Sequence, residues 1–142
     1  MLMGRRLAFD YGDVRIGVAV CDREGILATP LTTLQTHDLG LWAQIDVLLS
    51  EHEPIALYVG RPVHLSGTPS ESTHKSEEFA SQLRQRSKLE VRMIDERLST
   101  VSSQRQLHEA GVDARTSKSM IDAASAVAIL EFALQIEKSA QR

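Results

Sequence analysis

Apolar and polar positions along the chain follow two rhythms, one of period two and one of helical spacing, and they divide it into nine predicted elements. In "LAFDYGDVRIGVAV", Leu7 to Val20, an apolar run ends on Asp10, passes through Tyr11-Gly12-Asp13 and resumes at Ile16 as a second apolar run. This predicts two strands joined by a short turn, with a carboxylate at the tip of the first. "GILATPLTTLQ", Gly25 to Gln35, alternates Thr and Leu as a third strand would, and Pro30 suits an edge position because it cannot donate to a neighbour. The turns between these runs are short, which implies an antiparallel meander.

From Leu39 the rhythm changes. Leu41, Trp42, Ile45, Leu48 and Leu49 recur at helical spacing until Pro54 stops the pattern. "IALYVG", Ile55 to Gly60, is a continuous apolar run of strand length, as expected of a strand covered on both faces. A Pro/Gly/Ser loop, "RPVHLSGTPS", precedes a helix over "SESTHKSEEFASQLRQRS" with Phe79, Ala80 and Leu83 turned inward, and "LEVRMID" is the next strand. "STVSSQRQLHEAG" predicts a short helix with Gly111 as its C-cap. "SMIDAASAVAILEFALQIEKSA" is apolar almost all round from Met120 to Leu134 and predicts a buried helix. The order β-β-β-α-β-α-β-α-α implies an α/β fold, a mixed five-stranded sheet with helices on both faces and strands one, four and five parallel at its centre. Function in such sheets collects beyond the carboxyl ends of the parallel strands.

Composition narrows the setting. A chain of 142 residues, 42% hydrophobic and 25% charged, fits one globular domain spanning residues 1–142 with a core that needs no staples. Cys21 is the only cysteine, which excludes an intrachain disulfide and a thiolate metal cluster and fits a reducing compartment. The first residues run from Met1-Leu2-Met3 through Gly4-Arg5-Arg6 into a strand without the order of a signal peptide, and no uncharged segment reaches membrane-spanning length. The expected location is the cytoplasm, with no membrane partner. A net charge of -3 argues against holding nucleic acid by bulk electrostatics. It leaves room for a nuclease whose metal-binding carboxylates offset the arginines of its cleft.

Three acidic positions occupy comparable places in this scheme. Asp10 ends strand one, Asp95-Glu96 ends strand five, and Asp122 lies on the last helix in one stripe with Ala126, Ile129 and Ala133. A buried charge is costly and is normally paired, protonated or bound to a cation. Asp10, Glu96 and Asp122 can converge on one cleft as catalytic and metal-binding residues. Oxygen ligands without sulfur or imidazole suit Mg²⁺ or Mn²⁺, and two such ions about 3.5–4 Å apart can activate water and stabilise a leaving oxygen in phosphodiester cleavage. Each residue also has a structural alternative: Asp10 as a turn-forming residue, Glu96 as a partner of Arg97, Asp122 as a carboxylate favoured at a helix N-terminus.

Basic residues lie near the acidic ones in sequence. Arg15, Arg61, Arg97, Arg115 and Lys118 are candidates for phosphate contacts that position a strand without reading its sequence, the alternative being solvated surface or, for Arg15, a bidentate brace of the Asp10 turn. His37, His52, His64, His74 and His108 are scattered and receive no role. Trp42 and the few other aromatics offer no stacking platform of the kind single-strand binders use.

The blocks "FDYGDVRIGVAV", "VGRP", "DERLSTV" and "IDAASAVAIL", in this order and spread from about Leu7 to about Leu134, resemble the successive motifs of the YqgF/RuvX family. The resemblance implies a fold like RNase H and the RuvC resolvases, and a nuclease acting on the precursor of the small-subunit ribosomal RNA, with Holliday-junction resolution as the competing assignment. Carried over by position, the family's acidic residues fall on Asp10, Glu96 and Asp122. Two places depart from the pattern: Arg61 stands where the family usually has leucine, and His64-Leu65-Ser66-Gly67 where it usually has an Asn-Met-Asp-Gly-like turn. Two other readings compete. The Asp-x-Gly turn also resembles the phosphate hairpin of actin-like ATPases, which need two lobes where this length supplies one. A catalytically silent domain that binds RNA or protein would bind no metal. Precursor rRNA and branched DNA present the same phosphate chemistry, and resolution of a two-fold junction would favour a homodimer.

Overall fold

Three antiparallel strands open the chain, β1 (Arg6–Tyr11), β2 (Arg15–Cys21) and β3 (Ala28–Gln35), followed by α1 (Leu41–His52), β4 (Ala56–Arg61), α2 (Glu71–Ser87), β5 (Val91–Asp95), a 3-10 turn at Glu96–Leu98 and α3 (Ala114–Ser139). The computed structural model describes the backbone of residues 2–98 and 114–140 and the side chains of residues 2–98 and 123–140. The short helix expected over residues 99–111, with Gly111, lies outside the described residues. The last helix begins at Ala114, five residues before the start expected from its apolar pattern.

The strand order is β3-β2-β1-β4-β5. β1 pairs antiparallel with β2 and parallel with β4, and β4 pairs parallel with β5. The meander and the parallel set are as expected, but β5 is an edge strand rather than part of the centre. The crossover through α2 sets β5 beyond β4, and no later strand among the described residues covers it. β3 forms the other edge, and Pro30 stands in it opposite Ala19, where the β2–β3 register shifts.

Local chemistry sets the helix ends. Leu39 is fully exposed and α1 starts after Gly40, whose N–H donates to Asp38 Oδ1 at 2.7 Å. α1 stops at Glu53, which turns left-handed (φ 45°) immediately before Pro54. At α2, Ser70 and Thr73 cap each other reciprocally, and the Thr73 hydroxyl also donates to the Pro62 carbonyl, tying the helix to the loop after β4.

The period-two alternation divides the sheet into two faces. Leu7, Phe9, Ile16, Val18, Leu57 and Val59 pack with Leu41 and Ile45 of α1 and with Phe79, Ala80 and Leu83 of α2. Ala8, Ala19, Tyr58 and Ile94 turn to the opposite face, against Ala126, Ile129, Leu130, Ala133 and Leu134 of α3. Alanines on both sides of this second interface let helix and sheet come close. Ala126, Ile129 and Ala133 are fully buried, so the stripe read from the sequence is the one that faces the sheet.

Candidate active site

Strand alternation positions the first carboxylate. Phe9 faces α1 and α2, so Ala8 and Asp10 face α3. Asp10 is 4% exposed, and its partner across the ladder is Gly17, which puts no side chain beside it. The turn that follows is tight: a Cβ on Gly12 would lie 2.6 Å from the Arg15 carbonyl oxygen. Thr36 fixes this turn to the end of β3, its Oγ1 donating to Gly12 O at 2.8 Å and its N–H to Val14 O at 3.0 Å.

At the end of β5 two neighbouring carboxylates separate. Asp95 is the last strand residue and takes Arg97: Nε donates to both carboxylate oxygens at 3.1 Å, Nη2 to Oδ2 at 2.6 Å, and the Arg97 backbone N–H to Oδ1 at 2.9 Å. The side-chain bonds from Arg97 hold the Asp95 carboxyl below its ordinary range. Glu96 enters the 3-10 turn and is buried. Gly60, near the end of β4, makes its place: a Cβ there would stand 2.6 Å from Ile129 Cδ1 and 3.1 Å from Glu96 Oε1.

Asp10 and Glu96 line the same cleft, about 330 Å³ in volume, together with residues 11–15, Pro62 and Ser72. It lies at the carboxyl ends of β1, β4 and β5. No thiol or imidazole lines it, so its donors are the hard oxygens that suit Mg²⁺ or Mn²⁺. Among the described residues no group of three His, Cys, Asp or Glu comes together as a metal site. The third expected member, Asp122, is helical in backbone, one turn before the fully buried Ala126, and its side chain lies outside the described residues.

The basic residues take different places. Arg15 lines the cleft. Arg61 ends β4, a third exposed, with Nη2 4.0 Å from Glu77 Oε1. Arg97 is committed to Asp95 and donates Nη1 to Leu65 O at 3.2 Å, while Gly67, at φ +91°, lies close against its guanidinium. It braces the loop after β4. Arg115 and Lys118 lie in the first turns of α3, and their side chains are outside the described residues.

Two features escape the sequence reading. Gly60 is one, since nothing local in "VGRP" shows that Ile129, sixty-nine positions away, crowds it. The other is aromatic. Phe9 and Tyr11 of β1 and Trp42 of α1 place their rings 5.7, 5.1 and 5.5 Å from that of Phe79 in α2. Four of the six aromatics thus gather beside β1, on the face opposite Asp10. Their only sequence signal is parity, with Tyr11 pointing away from its neighbour Asp10.

A family model described as "RuvX: Holliday junction resolvase" matches residues 4–136. A relative from Streptomyces coelicolor, assigned as a pre-16S rRNA nuclease, is 41% identical over all of this chain and 86% of its own length. One from Mycobacterium ulcerans with the same assignment is 45% identical over 90% of this chain and 76% of its own. Among solved structures, Thermus thermophilus RuvC in complex with a Holliday junction substrate superposes with a TM-score of 0.59 at 12% identity, over 94% of this chain and 96% of that one. That likeness is one of fold, and it places the sheet and its helices in the RNase H-like class. With the family model spanning nearly the whole sequence, the chain belongs to the RuvX family.

Proposed function

We propose that this protein is a divalent-cation-dependent endonuclease that hydrolyses phosphodiester bonds in the 5′-end maturation of precursor 16S rRNA, in the cytoplasm. The observation that carries this reading is the meeting of two buried carboxylates, Asp10 and Glu96, from separate strand ends in one cleft. Like charges held together out of water are an arrangement that proteins keep mainly where function needs it. The rRNA assignment of the relatives supports the choice of substrate.

Asp10, Glu96 and Asp122 are the catalytic residues in this reading and would hold Mg²⁺ or Mn²⁺. When bound, the cations supply a lowered pKa for water and a Lewis acid for the phosphate oxygens. Water adds to phosphorus, the bond to one ribose oxygen breaks, and an alcohol and a phosphomonoester leave. The chain's own part is orientation. The Gly12 turn and Thr36 fix the end of β1, Gly60 admits Glu96, and Arg15 meets the phosphate backbone inside the cleft. Arg61, Arg115 and Lys118 extend that contact, and Arg97 contributes by holding the adjoining loop.

The family's description favours a second reading, resolution of four-way DNA by a homodimer. Both are tested by incubating the purified chain and its Asp10→Asn, Glu96→Gln and Asp122→Asn variants with a 5′-extended 16S precursor fragment and with a four-way DNA junction, in Mg²⁺, Mn²⁺ or chelator. The expected result is cation-dependent cleavage of the RNA, reduced at least about 100-fold in each variant. Thermal melts should show Mg²⁺ stabilisation growing as RT ln(1 + [L]/Kd) and shrinking in Asp122→Asn. Cleavage of the junction alone would install the second reading. A chain that cuts neither substrate and gains no stability from either cation would be the silent binding domain.

A further inference from the structure

Behind the cleft lies a second cavity, of about 220 Å³, on the opposite face of the sheet between β1, α1 and α2. Tyr11, Trp42 and Phe79 form its aromatic side, and Lys75, Glu78 and Gln82 bring a cation, an acceptor and an amide to it. Tyr11 lines both cavities. Asp10 and Tyr11 are consecutive in β1 and point to opposite faces, so a strand whose phosphate lies at Asp10 has the second cavity directly across the strand tip. Lys75 stands at the divide, with Nζ 3.0 Å from Oδ1 of Asp13, a residue of the cleft.

We propose that this cavity is a nucleobase subsite: it receives the unstacked base of a nucleotide flanking the phosphate to be cleaved in the cleft of Asp10 and Glu96. The proposal rests on the nucleic-acid reading of the cleft and adds what the cleft alone lacks, a requirement that the strand be locally unpaired. The chemistry fits a base. An aromatic wall offers a π face, which every base can use, while a carboxylate, an amide and an ammonium are complementary to base edges. Trp42 is a wall and not the platform, because Phe79 stacks on it and the Arg86 guanidinium lies 5.7 Å from its ring centre. Tyr11, which lines both cavities, is the ring placed to meet the base. Lys75 exchanges Asp13 for the phosphate that crosses the divide. A base cannot enter from within a duplex, so the subsite selects single-stranded or frayed substrate.

Trp42 is the chain's only tryptophan and lines the cavity, which makes it a reporter that needs no catalysis. The intact protein is titrated in chelator with short single-stranded oligoribonucleotides and oligodeoxyribonucleotides, with the matching duplexes, and with strands whose central nucleotides are abasic. Trp42 fluorescence and strand anisotropy are read together. Single strands should quench Trp42 saturably, while duplexes and abasic strands should not. Quenching by RNA and DNA alike assigns recognition to the base itself, and quenching by RNA alone adds the 2′-hydroxyl. Tyr11→Leu should weaken single-strand binding roughly tenfold and Tyr11→Phe should restore it. Gln82→Ala, on an exposed face of α2 where the fold is safe, should change the order of preference among the four bases. Equal quenching by abasic strands, binding without quenching, or no single-strand binding would each overturn the subsite. Failure of the nuclease reading would show separately, as absent cleavage in Mg²⁺ and Mn²⁺ by a protein that still quenches with single strands.

Discussion

The two ends of β1 bury charge on the same face, one beside an opposite charge and the other beside a like one. Arg6, Ala8 and Asp10 alternate along the strand toward α3. At the amino end Arg6 is 1% exposed and fully matched: its guanidinium donates to Glu137 at 3.2 and 3.0 Å, to Gly4 O at 2.5 Å and to Leu2 O at 2.8 Å. Tyr58 adds its hydroxyl to Glu137 at 2.7 Å, and burial together with that bond pushes the phenol's pKa upward. At the carboxyl end Asp10 shares a cleft with another carboxylate, Glu96. α3 runs over both ends, with Glu137 above Arg6 and position 122 fifteen residues earlier, about 22 Å along the helix at 1.5 Å per residue. One helix thus closes an ion pair at one end of the strand and carries position 122 in its backbone toward the other. Opposite charges at the first serve the fold, and like charges at the second are the ones the proposed nuclease function would use.

The largest effect is expected where the pairing is broken. Glu137→Leu strands the Arg6 cation and the Tyr58 hydroxyl, and should cost about 3 kcal/mol, the lower end of what removing one member of a buried pair costs, because Glu137 is 20% exposed. The double variant Arg6→Met/Glu137→Leu should recover most of that loss, since an apolar pair leaves no charge behind. Denaturant unfolding measures both. A double variant no more stable than the single one would mean that packing, and not charge matching, distinguishes this end.

An intermediate effect is expected at the other end. Gly60→Ala places a methyl against Ile129 and Glu96 and should cost about 1–3 kcal/mol as overpacking. Its sharper consequence is a displaced Glu96, so the Mg²⁺-dependent rise in melting temperature should shrink more than that of Glu137→Leu, though both variants are destabilised. Equal Mg²⁺ responses in the two would remove Gly60 from the site and leave it a packing residue.

What the sequence discloses is local and periodic. Asp10 at a strand tip, the inward stripe of α2 and the sheet-facing stripe of Ala126, Ile129 and Ala133 all follow from spacing within a few residues. The edge position of β5 does not, because strand order depends on where a crossover lands. Nor does the Arg6–Glu137 pair, whose members are 131 residues apart. The structural alternative that pairs Arg97 with Glu96 does not hold, because Arg97 bonds Asp95, and alternation decides it. Ile94 faces α3, so Asp95 faces away and takes the arginine, while the chain's turn brings Glu96 back. The aromatic gathering around Phe79 joins three elements and has no local signal beyond the parity of Tyr11.

The smallest effect sharpens the comparison from within the cleft end, where Asp95 and Arg97 form a matched pair one residue from Glu96. Arg97 lowers the Asp95 pKa in the folded protein, so the pair's contribution is present above the ordinary carboxylate pKa of about 4 and is lost as the pH falls through the lower folded value. Asp95 is 21% and Arg97 35% exposed, and solvent screening keeps the contribution at pH 7 small. Asp95→Asn should therefore be slightly less stable than the parent at pH 7, and the difference should vanish once the parent's Asp95 is protonated. Arg97 also holds the Leu65 carbonyl, so the same variant should loosen the loop after β4, read as faster amide exchange at Gly67 and Thr68. Unfolding midpoints at pH 7 and near pH 2 test the charge, and exchange tests the loop. A stability difference that persists in acid would show that the bond geometry rather than the ion pair holds this corner, and the contrast between matched and gathered acids would then rest on Arg6 and Glu137 alone.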